Sequence, residues 1–432
     1  MTRTGKITNM EQRRGSYASM YRNVCSVFLI LMPIIGQYRI IPVSPSLMFC
    51  MLIFLLYIFR YKKIAIENVC IPYIVYVIVM TGFLSLSFDL LPVNTLVSKY
   101  IGFLLVFIAF YCMMPKLIEF DYTLNIYQRV AVFVCVLTIF QYIMHYLMGI
   151  RMTFLIPNIM YGNTENMNTS RIIAAQISSG RYSSVFLEPA HLVEFCLPAL
   201  GWVLFPVEKK YDLSRREYIK AIIISLGMVM TTSMLGIAGV ASLWMIFFVS
   251  KHRKTITARR LVIVFAVVIA GIFFSTQPII QEQIHKKLRS AQHLANTGTS
   301  LYMRVIAGWA CFKDMPIYNK IVGCGYGNAA LYILGTGIGL SYYRYTAGFE
   351  GYMSGLSNIF FDLGIIGAVL YFRMLYKKIG KIKRPGNVVQ VFCILLILGT
   401  SASFEQLSSL LSMIILFSRN IYNENNDYLS EL

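Results

Sequence analysis

Along most of this chain, apolar residues run unbroken for about the length of a bilayer crossing, 17–25 residues. Such runs fall at 22–38, 42–59, 68–87, 97–114, 124–149, 186–206, 261–278 and 353–372. Two longer stretches are interrupted by polar residues. The first, 218–250, is broken at Thr231, Thr232 and Ser233; the second, 387–419, at Ser401, Ser403, Glu405 and Gln406. Each is too long for one helix and long enough for two short ones. The runs do not alternate apolar and polar positions, so they predict helices rather than barrel strands. The expected fold is all-α.

The basic residues between the runs decide how the helices thread. Clusters fall at 3–22, 60–63, 209–220, 251–260 and 373–384. Short cytoplasmic segments of membrane proteins concentrate Lys and Arg. All five clusters share one side only if 218–250 crosses twice. The pattern then predicts a polytopic membrane protein of about 12 transmembrane helices. Both termini are cytoplasmic, and two large extracytoplasmic loops lie at about 150–185 and 279–352. The basic, then apolar, N-terminus lacks a small-residue cleavage site and reads as an uncleaved first helix.

Composition agrees. Of 432 residues, 57% are hydrophobic and 13% charged, and the mean hydropathy is +0.64. A soluble domain carries about 25% charged residues, which excludes a cytosolic enzyme, a disordered chain and a secreted disulfide scaffold. Among the 9 cysteines, Cys25, Cys50, Cys70, Cys135, Cys196 and Cys393 lie in apolar runs and read as small hydrophobes. Cys311 and Cys324 lie in a polar loop, where pairing is one option.

The net charge of +20 has two sources. Cytoplasmic anchoring accounts for most of it. The two outer loops are basic as well, at net +2 and +4. That excess fits solvated surface or lipid headgroups, and equally a site for a phosphate-bearing substrate.

The stretch richest in chemistry is Gly180-Arg181-Tyr182-Ser183-Ser184-Val185-Phe186-Leu187-Glu188-Pro189-Ala190-His191-Leu192-Val193-Glu194. Pro189 suits a first helical turn. Glu188, His191 and Glu194 then share roughly one helix face, and ionisable groups there face protein or water. Ser354, Asn358 and Asp362 form a second polar stripe, which reads as a packing seam or a site. Gly323, Gly325 and Gly327 lack the strand–helix setting of a dinucleotide fingerprint and read as loop-shaping. Lys99 and Arg129, near helix ends, are positioned to snorkel. His145, His285 and His293 lack ligand spacing, so neither a metal nor another cofactor is expected. No Walker motif for ATP is present, and nucleic acid is not an expected partner.

Four segments between about 180 and 370 resemble the O-antigen polymerase and O-antigen ligase superfamily (Wzy and WaaL). Arg181-Tyr182-Ser183-Ser184-Val185-Phe186-Leu187-Glu188-Pro189 is similar to that family's Arg-x-Ser-x-x-Phe-x-Asn/Glu-Pro helix entry. Thr231-Thr232-Ser233-Met234-Leu235-Gly236 is similar to its Thr-x-Ser-x-x-Gly turn. Arg304-Val305-Ile306-Ala307-Gly308-Trp309, followed by Gly323-Cys324-Gly325-Tyr326-Gly327, resembles its second large loop. Asp362-Leu363-Gly364-Ile365-Ile366-Gly367 resembles its Glu-x-Gly-x-x-Gly helix. The ligase branch often carries a His-Asn pair where this chain has Met353-Ser354, which tilts the resemblance toward polymerases. Arg151…Gly162 and Arg344…Gly355 fit the polymerases' Arg-x10-Gly pattern.

The resemblance implies a multi-pass enzyme of the bacterial inner (cell) membrane. It would join undecaprenyl-diphosphate-linked oligosaccharide repeat units into O-antigen, capsule or exopolysaccharide, without a metal. Its partners would be those lipid-linked glycans, the bilayer and a chain-length regulator protein. The leaving diphosphate needs cations, and guanidinium forks suit it; Arg181 and Arg304 are the first candidates, with Arg171 and Arg344 behind them. A base must take the sugar hydroxyl's proton; Glu350 and Glu188 are the candidates, then His191. Glu188 also fits a plain helix N-terminal charge, and Glu350 a surface acid. The alternatives are a ligase passing finished polymer to its acceptor, and a multipass glycan transporter.

Overall fold

The computed structural model describes residues 20–36, 38, 45–64, 66–87, 93–156, 169–206, 213–250, 303–338, 353–380, 385–400 and 407–430. Among them all regular structure is helical and no strand forms. The first four helices are α1 (Met20–Ile35), α2 (Pro45–Tyr61), α3 (Ile71–Ser87) and α4 (Val93–Phe107). The last continues through a π-helical turn, Ile108–Met113, and on to Leu117. There follow α5 (Phe120–Met148), α6 (Thr169–Ser179), α7 (Pro189–Leu204), α8 (Arg215–Met230) and α9 (Met234–Val249). A second π-helical turn, Met303–Ala307, leads into three short helices: α10 (Gly308–Asp314), α11 (Ile317–Val322) and α12 (Ala329–Thr336). The chain closes with α13 (Gly355–Ile379), α14 (Pro385–Thr400) and α15 (Leu407–Ser430).

Among the described residues, three helical stretches are long and apolar enough to cross a membrane: Leu96–Leu117, Phe120–Met148 and Gly355–Ile379. Shorter apolar helices of 10–17 residues accompany them. The outward faces are apolar too, with Phe133 58%, Met245 68% and Val249 74% exposed. Soluble monomers rarely present such surface. These are the features of a membrane protein.

The interrupted stretch 218–250 does form two helices. α8 starts in a capping box: Glu217 N–H donates to Ser214 Oγ (3.3 Å) and Ser214 N–H to Glu217 Oε2 (2.6 Å). It ends where Thr231 Oγ1 donates to the Met228 carbonyl at 2.7 Å and accepts the Ser233 N–H at 3.2 Å. Thr232, at φ 54°, takes the left-handed conformation that turns the chain into α9. The second interrupted stretch also gives two helices, α14 and α15.

Two boundaries move for physical reasons. The run expected from 186 is helical only from Pro189, because 186–188 make hydrogen-bonded bends. The run expected to end at 372 continues to Ile379, since Arg373 and Lys377 extend their heads outward from a helix that has not ended. The expected run at 261–278 lies outside the described residues.

Helix α7 is the axis of the bundle. Leu192 to Leu204 are all buried, enclosed by α5, α8, α9, α14 and α15. A helix apolar on every side needs such a sheath. Pro198 removes an N–H from its interior. Side chains of neighbouring helices also bond α7 carbonyls: Gln390 Nε2 donates to Pro198 O at 3.0 Å, and the Tyr127 hydroxyl to Phe195 O. A second centre forms around α13, which packs against α3, α10, α11, α12 and α14.

Candidate functional site

The four sequence segments assemble into two pairs, one at each centre. The first pair joins the connector before α7 to the turn between α8 and α9. The second joins the glycine-rich loop after α11 to the middle of α13.

The connector, 180–188, is held from two sides. On α6, Gln176 Nε2 donates to Ser183 Oγ (2.8 Å), Leu187 O (2.7 Å) and Phe186 O (3.4 Å). On α5, Gln141 Oε1 accepts the Ser184 N–H at 2.9 Å, while its Nε2 donates to Met152 O at 3.3 Å. The Ser183 hydroxyl closes a local turn on Phe186 O at 2.5 Å. Ser184 sits at φ 56°, an uncommon conformation for a residue with a Cβ.

Tyr182 is fully buried in an aromatic cluster. Its ring stands edge-on to Tyr142 (6.0 Å) and His145 (5.6 Å). Met230, the last residue of α8, packs into the same cluster, so the connector and the Thr231–Ser233 turn are neighbours. Burial first, and then nearby Tyr146, push the Tyr182 phenol up, against a smaller opposing pull from Arg151. It is therefore a neutral donor at pH 7. Arg151 Nε donates to His145 Nε2 at 3.2 Å.

Arg181 is half-buried beside this cluster and lies in electrostatic reach of Tyr142. Glu188 is the N-cap residue of α7, in extended conformation (φ −128°, ψ 145°), and its side chain makes no capping hydrogen bond. Its carbonyl accepts the His191 N–H at 3.1 Å. His191 is half-buried one turn on, and Glu194 is buried below it. Several buried polar atoms here lack a hydrogen-bond partner among the described residues: Tyr182 OH, Ser184 Oγ, Gln176 Oε1, His191 Nδ1 and Thr232 Oγ1.

The α13 centre is saturated by contrast. Gly364 interrupts α13 at φ 65°, and Gly323 faces it at φ 86°. A Cβ on Gly364 would lie 2.4 Å from Gly323 N and Ile321 O, so the two backbones touch. Cys324 N–H donates to Phe361 O (3.1 Å) and Gly325 N–H to Asp362 O (2.8 Å). Asp362 Oδ2 accepts the Gly327 N–H at 2.9 Å and Asn358 Nδ2 at 3.5 Å. Asn328 Nδ2 donates to Ser85 Oγ (2.9 Å) and Cys324 O (3.0 Å). The stripe of Ser354, Asn358 and Asp362 thus makes structural bonds: Ser354 caps α13, accepting the Ser357 N–H at 3.3 Å, Asp362 holds the loop, and Asn358 bonds Asp362.

Lys99 corrects the snorkelling expectation. Its ammonium turns inward, donating to Asn328 Oδ1 at 2.7 Å and Gly327 O at 2.9 Å. Two open carbonyl-type oxygens beside Asp362 outcompete the bilayer edge. Arg129 bonds Asn125 Oδ1 at 3.2 Å on its own helix. Cys311 and Cys324 are both free, buried thiols.

Of the expected site residues, Arg181, Glu188 and His191 lie together on the connector and the head of α7. Arg171 is on α6, and Arg304 in the Met303–Ala307 turn, which packs on α14. α14 also packs on α7, so one helix separates the arginine-bearing turn from the central helix. Glu350 and Arg344 lie outside the described residues. Gln141, Gln176 and Tyr182 carry the connector but were not singled out; a glutamine inside the apolar run 124–149 was the available signal. Among the described residues, no three His, Cys, Asp or Glu side chains converge as a metal-ligand set. No protein-family model matches the chain, and no curated protein matches it in sequence.

Proposed function

We propose that this protein is a polysaccharide repeat-unit polymerase of a bacterial inner membrane, with about 12 membrane crossings. Both termini are cytoplasmic in this reading, and the loops at 150–185 and 279–352 face outward. The enzyme moves a growing glycan from one undecaprenyl diphosphate to a sugar hydroxyl of another lipid-linked unit. The glycosyl–phosphate bond breaks, a glycosidic bond forms, the hydroxyl proton passes to a base, and lipid diphosphate leaves.

The observation that carries this reading is the connector at the head of α7. It carries, close in sequence, an arginine, a carboxylate and an imidazole, Arg181, Glu188 and His191, with buried hydroxyls at Tyr182 and Ser184 that have no partner among the described residues. Buried polar atoms are nearly always hydrogen-bonded in native proteins. Sugar hydroxyls are ligands that would meet this demand. Arg181 and Arg304, backed by Arg171 and Arg344, would take the diphosphate as bidentate forks. Glu188 or Glu350 would accept the proton, with His191 orienting Glu188.

Deleting the gene should leave single-repeat lipid-linked glycans and abolish the long-chain ladder. Full-length polymer stranded on its lipid carrier would instead make the protein a ligase. Units trapped on the cytoplasmic face would make it a transporter.

A further inference from the structure

A cavity of about 180 Å³ opens between the start of α3 and the end of α13. Its walls include Val69, Pro72 and Leu370, and its rim carries Asn68, Arg373 and Lys377. The two helices run antiparallel here, since the Tyr76 hydroxyl bonds Leu363 O (2.9 Å) farther along the pair.

The surface leading to this cavity is patterned. On α13, Ile365, Val369, Arg373 and Lys377 follow one another at four-residue spacing, and all four are exposed. The stripe is apolar for its first half and cationic for its second. On α3, Ile71, Val75, Val79 and Phe83 form a matching exposed apolar stripe. Residues four apart on a helix share a face. The cavity therefore lies where two exposed apolar stripes converge on a pair of cations.

Among the described residues, no carboxylate pairs with the charge at the rim. Glu67, the nearest acid in sequence, is already bound by Lys378 (2.6 Å) and Lys116 (3.6 Å). Arg373 and Lys377 have no carboxylate partner among the described residues. Further basic residues, Lys381, Lys383 and Arg384, follow directly in sequence.

We infer that this cavity is a binding site for one anionic phospholipid of the surrounding leaflet. The phosphodiester sits between Arg373 and Lys377, the Asn68 amide adds a donor, and the acyl chains lie along the α3 and α13 stripes. Basic pockets between membrane helices bind anionic headgroups in this way. The site is separate from the α7 connector and requires only that these helices lie in a bilayer.

The test is native mass spectrometry of the purified full-length protein, loaded from vesicles of phosphatidylglycerol or phosphatidylcholine. Wild type should retain one phosphatidylglycerol far more strongly than phosphatidylcholine. The Arg373→Gln/Lys377→Gln variant should retain it about thirtyfold less, the loss of two near-surface cations. An Arg373→Lys/Lys377→Arg variant should keep it, and Arg215→Gln/Arg216→Gln, which removes cations elsewhere, should match wild type. Equal retention by the double Gln variant overturns the site. So does equal retention of phosphatidylcholine, or displacement by millimolar inorganic phosphate, which would mark a free-anion site.

Discussion

The connector at the head of α7 and the glycine joint in α13 are both buried, polar and built from residues far apart in sequence. They differ in how completely their hydrogen bonds are used. At the joint, Asn328, Asn319, Asp362 and Lys99 all find partners, and two backbones meet with no room for a Cβ. At the connector, Gln141 and Gln176 fix the backbone, yet hydroxyls of Ser184, Tyr182 and Thr232 go unmatched among the described residues. A saturated network specifies one packing. An unsaturated one on a well-held backbone keeps its capacity for something else. In the proposed function the joint is scaffold and the connector is the site.

The contrast can be broken most forcefully at Gly364. Alanine there must adopt φ 65° and meet Gly323 N at 2.4 Å. The left-handed backbone and the overlap together should cost about 3–5 kcal/mol, seen as lost folded protein in a detergent thermal melt. Gly102→Ala, with nothing within 4 Å, should melt at or slightly above the parent. Parent-like melting of Gly364→Ala would show that the joint yields.

Asn328→Ala strips partners from Lys99, Ser85 and the Cys324 carbonyl. It should lower stability by about 2–3 kcal/mol. Ser184→Ala removes a hydroxyl with no partner among the described residues and should change stability by less than about 0.5 kcal/mol while shortening the glycan ladder. If Ser184→Ala destabilised as much as Asn328→Ala, the two regions would not differ in kind. The smallest effect concerns Cys311 and Cys324, which are separate thiols. Alkylation of unreduced, denatured protein should modify both, and a mass two hydrogens short would reveal a bond.

Much of the helical framework was legible because a bilayer leaves the chain few choices. Apolar runs of crossing length must be helices, and the basic clusters required the break at Thr231–Ser233 that the structure contains. Position in three dimensions was not legible. Lys99 near a helix end reads as a surface cation, but loop residues 228 and 229 positions away draw it inward. Asp362-Leu363-Gly364 reads as a packing seam, and nothing local announces that Gly364 leaves the helical conformation to meet Gly323. Arg181, Glu188 and His191 stand out in the sequence because they are ionisable in apolar surroundings. The glutamines that hold the connector backbone carry no charge, and Gln141 acts on a residue 43 positions away.

The central claim, that the connector works on a lipid diphosphate through Arg181, is tested most directly by one conservative change. Arg181→Lys keeps the charge and removes the planar fork. Expressed at parent level in a deletion strain and resolved by gel, it should yield single-repeat glycan without a ladder, while the purified variant melts like the parent. A full-length ladder from Arg181→Lys would contradict the account.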